Sequence, residues 1–495
     1  MTAEPSCVEV DAGRSRPAKH TVSQRWRPRF SEHRLILLLG DVILLNGALF
    51  VVLLHRQEIM TRFISPGLFV SWFIVLTLLW IVIGMSLDIY DLTKAADQGK
   101  SVWRSAGAAV VTVMVFLCIP ILTPVLPTRR VELFSLPLFA ALGISAWRAF
   151  YAHVLSRVDL QRRALIIGAG WCGRTLAQAL AGTGSGGQTA HGGVCYHVLG
   201  FIDDDPAKQG QVIAGVPVLG MHHELARLSH ELHPDELVFA ITHTQLVEES
   251  LMDAVLRCRE AGMEVTTMSS FYEALTGRVP VEHAGRMLEV VMPVSQSALD
   301  RLYLLAKLAT DIGFGLIGCL FLLVVMPPIW LANLLTDRGH LFFTQSRVGQ
   351  AGRTFMVMKF RSMKMEAEKQ TGAVWAQEKD PRITPLGRVL RKTRLDELPQ
   401  FWNVLRGEMS LVGPRPERPE FVSRLSEQIP FYRARHAVKP GITGWAQVKY
   451  RYGASQEDAL IKLQYDLYYI KHQSLFLDLV ILLKTIQVVL GFKGR

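Results

Sequence analysis

Cysteine is scarce and scattered. Cys7, Cys118, Cys172, Cys195, Cys258 and Cys319 lie along 495 residues with no C-x-x-C pair and no metal-ligand spacing, which argues against a disulfide framework or a zinc site and suits a reduced, cytoplasm-facing setting. A cleavable leader is also lacking: the first 34 residues are polar and Arg-rich, and no small-residue cleavage pattern follows the first apolar run. No helix-turn-helix, zinc-finger or RNA-binding signature accompanies the surplus of 54 Lys and Arg over 43 Asp and Glu, a formal +11. Nucleic acid is therefore not an expected partner; the surplus suits phospholipid headgroups, nucleotides and the cytoplasmic loops of a membrane chain. Charged residues make up only 20% of the chain against 50% hydrophobic, and the apolar residues come in blocks.

Four apolar stretches, about 34–54, 65–87, 106–126 and 131–154, each approach the roughly 20 residues needed to cross the hydrocarbon core as a helix. They predict a four-helix transmembrane bundle over 34–155, behind a disordered cytoplasmic tail of residues 1–33. Arg25, Arg27, Arg29 and Arg34 precede the first stretch, Lys94, Lys100 and Arg104 lie between the second and third, and Arg157, Arg162 and Arg163 follow the fourth. The positive-inside rule puts these flanks in the cytoplasm, with Arg129 and Arg130 on the short outer loop as weak counter-evidence.

Residues 156–297 read as strand–turn–helix units and predict a Rossmann-like α/β middle domain, interrupted by a Gly-rich insertion from Gly182. A fifth apolar block, about 302–335, contains Met326-Pro327-Pro328. Two consecutive prolines bend or break a helix inside a bilayer. A re-entrant helix, leaving by the face it entered, keeps the Lys/Arg-rich remainder on the cytoplasmic side. The remainder, 298–495 with that helix included, predicts a mostly α catalytic domain ending in an apolar segment from Ser474 that lies in the membrane interface.

Three segments of this last domain carry unusual chemistry. MVMKFRSMKMEAE gathers Lys359, Arg361 and Lys364, and taken alone is a solvated basic face. The stretch 381–394 holds five cations, Arg382, Arg388, Arg391, Lys392 and Arg394, and no acid, and Asp396-Glu397 follow it at once; nearby cations favour an ionised carboxylate. Neighbours on a helix point about 100° apart, so the two acids can serve one site only in different tasks, one attacking and the other holding a divalent cation. In Gly413-Pro414-Arg415-Pro416 the arginine sits on a stiff backbone, which suits a phosphate ligand. VKPGITGWAQVKYRYG adds Lys439 and a Gly-rich turn beside Trp445.

The strings FTQSRVGQAGRTFMVMKFRSM, LDELPQFWNVLRGEMSLVGPRP, VKPGITGWAQV and YDLYYI together closely resemble the bacterial sugar transferases, the monotopic polyprenyl-phosphate phosphoglycosyl transferases, over about residues 298–491. Their order and spacing make coincidence implausible. The resemblance implies that Asp396 attacks the β-phosphate of a UDP-sugar, expels UMP and forms a phosphosugar–aspartyl intermediate that polyprenyl (undecaprenyl) phosphate then discharges. It implies Mg²⁺ held at Glu397 with Asp466 a further acid of the site, Lys359 and Arg415 on phosphate, and Pro327-Pro328 at the re-entrant break, where small members carry Ser-Pro. Glucose 1-phosphate is the expected group and galactose 1-phosphate the second, in an inner-membrane enzyme that starts exopolysaccharide or O-antigen units, with a homodimer through the α/β unit or the spans.

In the middle domain, Gly168-x-Gly170-x-x-Gly173 between a strand and a helix is a dinucleotide-type fingerprint. No acid-terminated second strand follows at about 20 residues, and Asp203-Asp204-Asp205 come about thirty on. Two readings stay open: NAD or another nucleotide is bound there, or a degenerate fold serves packing, dimerisation or regulation. A dehydratase or epimerase centred on these glycines would need a Tyr-x-x-x-Lys pair, which the middle domain lacks.

Overall fold

The computed structural model describes residues 30–54, 66–87, 89–90, 98–119, 130–155, 161–184, 195–241, 248–283, 298–336, 338–364, 380–450 and 455–490. The expected tail, most of the Gly-rich insertion, and flanking Arg25, Arg27, Arg29, Lys94, Arg129 and Arg157 lie outside them.

Among the described residues four helices come first: α1 (Phe30–Leu54), α2 (Pro66–Ser86), α3 (Gln98–Leu117) and α4 (Arg130–Phe150). The third begins eight residues before its apolar stretch, taking in Lys100 and Arg104. Leu45, Leu49, Trp72, Leu76, Trp80, Phe116 and Ile144 form their shared core, while Leu35, Ile43, Leu78, Phe134 and Leu142 stay exposed on the outside. Inside, Arg148 on α4 donates to Asp41 on α1 at 2.5 Å with both side chains fully buried, which pins these two helices where an unpaired charge would be costly. By length and composition, Leu35–Leu54 and Arg301–Thr336 are long and apolar enough to cross a membrane.

The middle unit is a mixed six-stranded sheet in the order β3-β4-β2-β1-β5-β6. Its elements are β1 (Gln161–Ile167), α5 (Trp171–Gly184), β2 (Cys195–Ile202), β3 (Val212–Ile213), β4 (Val216–Gly220), α6 (Leu225–Leu232), β5 (Glu236–Phe239), α7 (Glu249–Glu260), β6 (Glu264–Thr267) and α8 (Met268–Thr276). All pairings are parallel except β3 with β4. β1 is central, so its Ala164–Ile167 run is buried on both faces. The chain leaves β1 toward β2 and later returns to β5 on the other side, a topological switch point at the glycine loop. β2 ends immediately before Asp203; the spacing of about thirty residues arises because the Gly-rich insertion lengthens the crossover.

The last unit opens with α9 (Ala298–Thr336), which continues as helix through Pro327 and Pro328. Leu322 and Ile329, on either side of the prolines, are buried in one cluster with Phe360 and Leu390. There follow the antiparallel hairpin β7 (Phe342–Val348) and β8 (Thr354–Phe360), then α10 (Pro385–Thr393), α11 (Gln400–Leu405), β9 (Ser410–Val412), α12 (Pro419–Gln428), β10 (Gly441–Thr443), α13 (Trp445–Lys449), α14 (Gln456–Lys471) and α15 (Leu475–Leu490). Strands β9 and β10 pair in parallel.

Candidate active site

Asp396 and Glu397 sit on a 3-10 turn, Leu395–Glu397, that is entered through a left-handed residue. Helix α10 starts at a side-chain cap, Thr384 Oγ1 accepting from Gly387 N at 2.9 Å with Pro385 in the first turn. It ends at Arg394, with φ 60° and ψ 12°, a conformation that costs a non-glycine residue on the order of 1 kcal/mol and recurs at functional turns. Both carboxylates that follow are buried, Asp396 at 8% and Glu397 at 9% exposure.

Their surroundings differ. Glu397 Oε1 accepts from Lys359 Nζ at 3.2 Å and Arg415 Nη2 at 2.6 Å, and Arg394 lies 3.8 Å from Oε2. Burial opposes ionisation of Glu397, but Arg415, Lys359 and Arg394 hold it well below the usual carboxylate range. The Lys359 ammonium is itself pulled below its ordinary value by burial, with Arg415 repelling it and Glu397 opposing the shift. Asp396 Oδ1 is buried with no hydrogen-bond partner among the described residues. Burial and the negative Glu397 push Asp396 up to about 6, against the lowering influence of Lys359, Arg391 and Arg394. The cations hold Glu397 lowest, and Asp396, raised to about 6, is still mainly ionised at neutral pH. Part of the basic stretch is also spent elsewhere: Arg382 pairs with Asp380, and Arg391 donates to Ser362 Oγ at 2.9 Å.

Arg415 reaches Glu397 from a loop gripped by backbone. Gly413 N donates to Thr443 O at 2.9 Å and Gly441 N to Pro414 O at 2.9 Å. A Cβ on Gly413 would collide with the Lys439 carbonyl, and one on Gly441 with Gly413 N. The glycines of VKPGITG therefore act by close approach to Gly413-Pro414-Arg415-Pro416. Lys439 contributes its carbonyl to this contact, while its ammonium lies beside Gly407. Arg361 is likewise outside the Glu397 cluster: it donates to His340 O at 2.9 Å and Asn333 Oδ1 at 2.8 Å, fastening the end of α9.

Asp466, on α14, is 2% exposed and accepts from Arg435 Nη2 at 2.8 Å. Arg435 also donates to the Arg415 carbonyl at 3.0 Å and to Tyr432 Oη at 2.7 Å. Arg435 was not singled out by the sequence; the basic run RARHAVK that contains it was the available signal. Burial pushes Asp466 up to about 6 although Arg435 lowers it. Among the described residues no three His, Cys, Asp or Glu side chains gather as a metal cluster. Glu397 and Asp466 are each engaged by arginine, and within the cluster Asp396 Oδ1 is the acceptor left open. In the middle unit, Gly173 packs on the Gly168 carbonyl, and the Asp203 carboxylate takes Ala169 N at 2.7 Å and Lys208 Nζ at 3.1 Å.

A buried acid with an open oxygen, beside an acid clamped by a lysine and a proline-flanked arginine, can form a bond to an electrophilic phosphorus while fixed cations meet the phosphate oxygens. The family model for the bacterial sugar transferases matches residues 302–492. A UDP-N-acetylgalactosamine-undecaprenyl-phosphate N-acetylgalactosaminephosphotransferase of Aeromonas hydrophila is 43% identical over 48% of this chain and 55% of its own length. A UDP-glucose:undecaprenyl-phosphate glucose-1-phosphate transferase of Xanthomonas campestris pv. campestris is 41% identical over 41% of this chain and 43% of its own. These matches span about half the length of the relatives. A UDP-galactose-lipid carrier transferase of Erwinia amylovora is 30% identical over 70% of this chain and 72% of its own length. With the catalytic motifs and the longer match together, the chain belongs to the bacterial sugar transferase family.

Proposed function

We propose that this chain transfers a hexose 1-phosphate from a UDP-sugar to undecaprenyl phosphate in two displacements at Asp396. In the first, an Asp396 oxygen attacks the β-phosphorus, the bond to the α-phosphate oxygen breaks, and UMP leaves. In the second, a phosphate oxygen of the lipid attacks the same phosphorus and frees the aspartate, giving undecaprenyl-diphosphate sugar. The observation that carries this reading is the unpartnered Asp396 Oδ1 beside a Glu397 already neutralised by Lys359 and Arg415. Lys359 and Arg415 orient the diphosphate, and burial keeps water from the aspartyl phosphate. Mg²⁺ held at Glu397, with Asp466 a further acid of the site, would neutralise the diphosphate oxygens, since carboxylate oxygens are the hard donors that ion takes. The donor is glucose in this reading with galactose second, and the name of the Aeromonas relative adds N-acetylgalactosamine to the panel.

Membrane placement follows the same reading. Leu305, Leu316, Leu320, Val324 and Leu331 of α9 are exposed, while its other face is held by the catalytic unit from Lys307, bonded to Val412 O and Asp478, to Asn333, bonded to Arg361. A helix fastened along its length to one soluble unit suits entry and exit at one face, re-entrant about Pro327 and Pro328, better than a span. With α1 to α4 crossing the bilayer, the enzyme sits in the inner membrane with its site at the cytoplasmic headgroup level, where lipid phosphate meets nucleotide sugar, and starts a polysaccharide repeat unit. The test is UMP release by purified protein with Mg²⁺, undecaprenyl phosphate and UDP-sugars offered singly. Release from one donor that vanishes in Asp396→Asn supports the reading, and no release from any donor contradicts it.

A further inference from the structure

The exit of the middle unit is built into the catalytic unit rather than tethered to it. Helix α8 ends at Gly277, φ 67°, whose carbonyl accepts from Trp445 Nε1 at 3.1 Å. Trp445 is 2% exposed and follows Gly444, where a Cβ would collide with the Gly413 carbonyl. A second arm runs through α14: Val279 N donates to Gln464 O at 3.1 Å, and the Arg278 guanidinium lies 5.0 Å over the Tyr465 ring. Glu273 takes Lys471 and His472 at the other end of that helix, each at 2.8 Å. Asp466 stands next to Tyr465 and holds Arg435, which donates to the Arg415 carbonyl. Val279 and Val281 are buried in the core that also contains Trp445 and Leu463.

We infer that the segment Glu273–Val279 of the α/β unit is a positioning element for Arg415, acting through Trp445–Gly444 on one side and through Asp466–Arg435 on the other. The inference rests on the transferase reading for the task of Arg415. Its physical basis is that both arms end on the backbone of Gly413–Arg415, beside the bonds that tie this loop to Gly441 and Thr443, so the angle at which the guanidinium meets phosphate depends on them. The middle unit thereby has a role that needs no bound nucleotide: it completes the phosphate-binding loop from behind.

The test uses the full chain with Trp445→Phe, which removes the indole donor to Gly277, and separately Arg278→Ala, each also combined with Arg415→Lys. Two quantities are read: kcat/KM for UMP release, and amide exchange at Gly413 and Gly441, whose N–H groups hold the loop closed. The expected result is a fall of roughly tenfold or more in kcat/KM for either single variant, faster exchange at both amides, and no further loss in the Arg415→Lys background, because residues acting through one group are non-additive. Arg278→Lys, which keeps a cation over Tyr465, should restore much of the rate and covers the case in which Arg278→Ala fails to fold. Equal fold-losses in both backgrounds, or unchanged rate and exchange, would overturn the inference. Absence of UMP release from the unsubstituted chain would sink the transferase reading instead, and the exchange at Gly413 and Gly441 would then decide the positioning claim by itself.

Discussion

Two acids at the ends of their elements differ in what is left unsatisfied. Asp203, at the end of β2 in the middle unit, spends its carboxylate on the Ala169 amide of its own glycine loop and on Lys208. Asp396, after the left-handed Arg394, is buried with one oxygen free, and its neighbour Glu397 has taken the cations. The first arrangement is closed on itself: backbone bonds and Lys208 hold Asp203 below its usual range in spite of burial. The second stores unspent bonding capacity and a raised proton affinity, the condition expected where a group has work to do on a ligand.

The largest effect that sharpens this contrast is at Asp396. Asp396→Asn should lower UMP release by at least roughly four orders of magnitude, the scale of losing a nucleophile. It should also stabilise the fold at pH 7, on the order of 2 kcal/mol, because it removes a buried charge whose pKa the fold has raised. Loss of activity with a rise in melting temperature would distinguish a strained reactive group from a structural one. Arg415→Ala should cost about a hundredfold in kcat/KM and leave Glu397 less well neutralised, so a melting temperature lower than wild type is expected with it.

The pH dependence comes next. With Asp396 raised to about 6, UMP release should fall about tenfold per unit as pH drops below 6 and level off above 7, since only the carboxylate attacks. The stability term has the opposite sign: between about 4 and 6 the folded state binds the extra proton, so the contribution of Asp396 to stability falls as pH rises through that window. A rate that is flat down to pH 5 would break the assignment. The smallest effect is at the closed acid. Asp203→Asn should leave UMP release unchanged and lower stability by about 1 kcal/mol, read by melting with and without NAD; a large loss of activity would erase the distinction between the two sites.

Sequence carried the candidate site further than it carried the supports of that site. Lys359, Asp396-Glu397 and Arg415 come from three separate elements; the acid pair after a basic run and the arginine between prolines stood out locally, while Lys359 alone read as a solvated basic face. The strands of the middle unit were legible for a different reason, their short apolar runs bounded by glycine and aspartate. What escaped is long-range. Nothing local in RARHAVK marks Arg435 as the residue between Asp466 and the Arg415 carbonyl, and nothing in VTTMSSFYEALTGRV says that Gly277 will cap Trp445. Arg361 and Lys439 stand apart from the Glu397 cluster, Arg361 on His340 O and the Lys439 ammonium beside Gly407. At the proline pair in α9 the helix continues, and the re-entrant turn placed there belongs to the proposed membrane reading.

The central claim is that Asp396 becomes covalently phosphorylated by the sugar phosphate, and it is tested most directly by intact-protein and peptide mass spectrometry after incubation with Mg²⁺ and the UDP-sugar in the absence of lipid. The account expects one added hexose phosphate on the peptide bearing Asp396, released when undecaprenyl phosphate is added and absent from Asp396→Asn. UMP release that requires the lipid from the outset, with no adduct at any time, would contradict it.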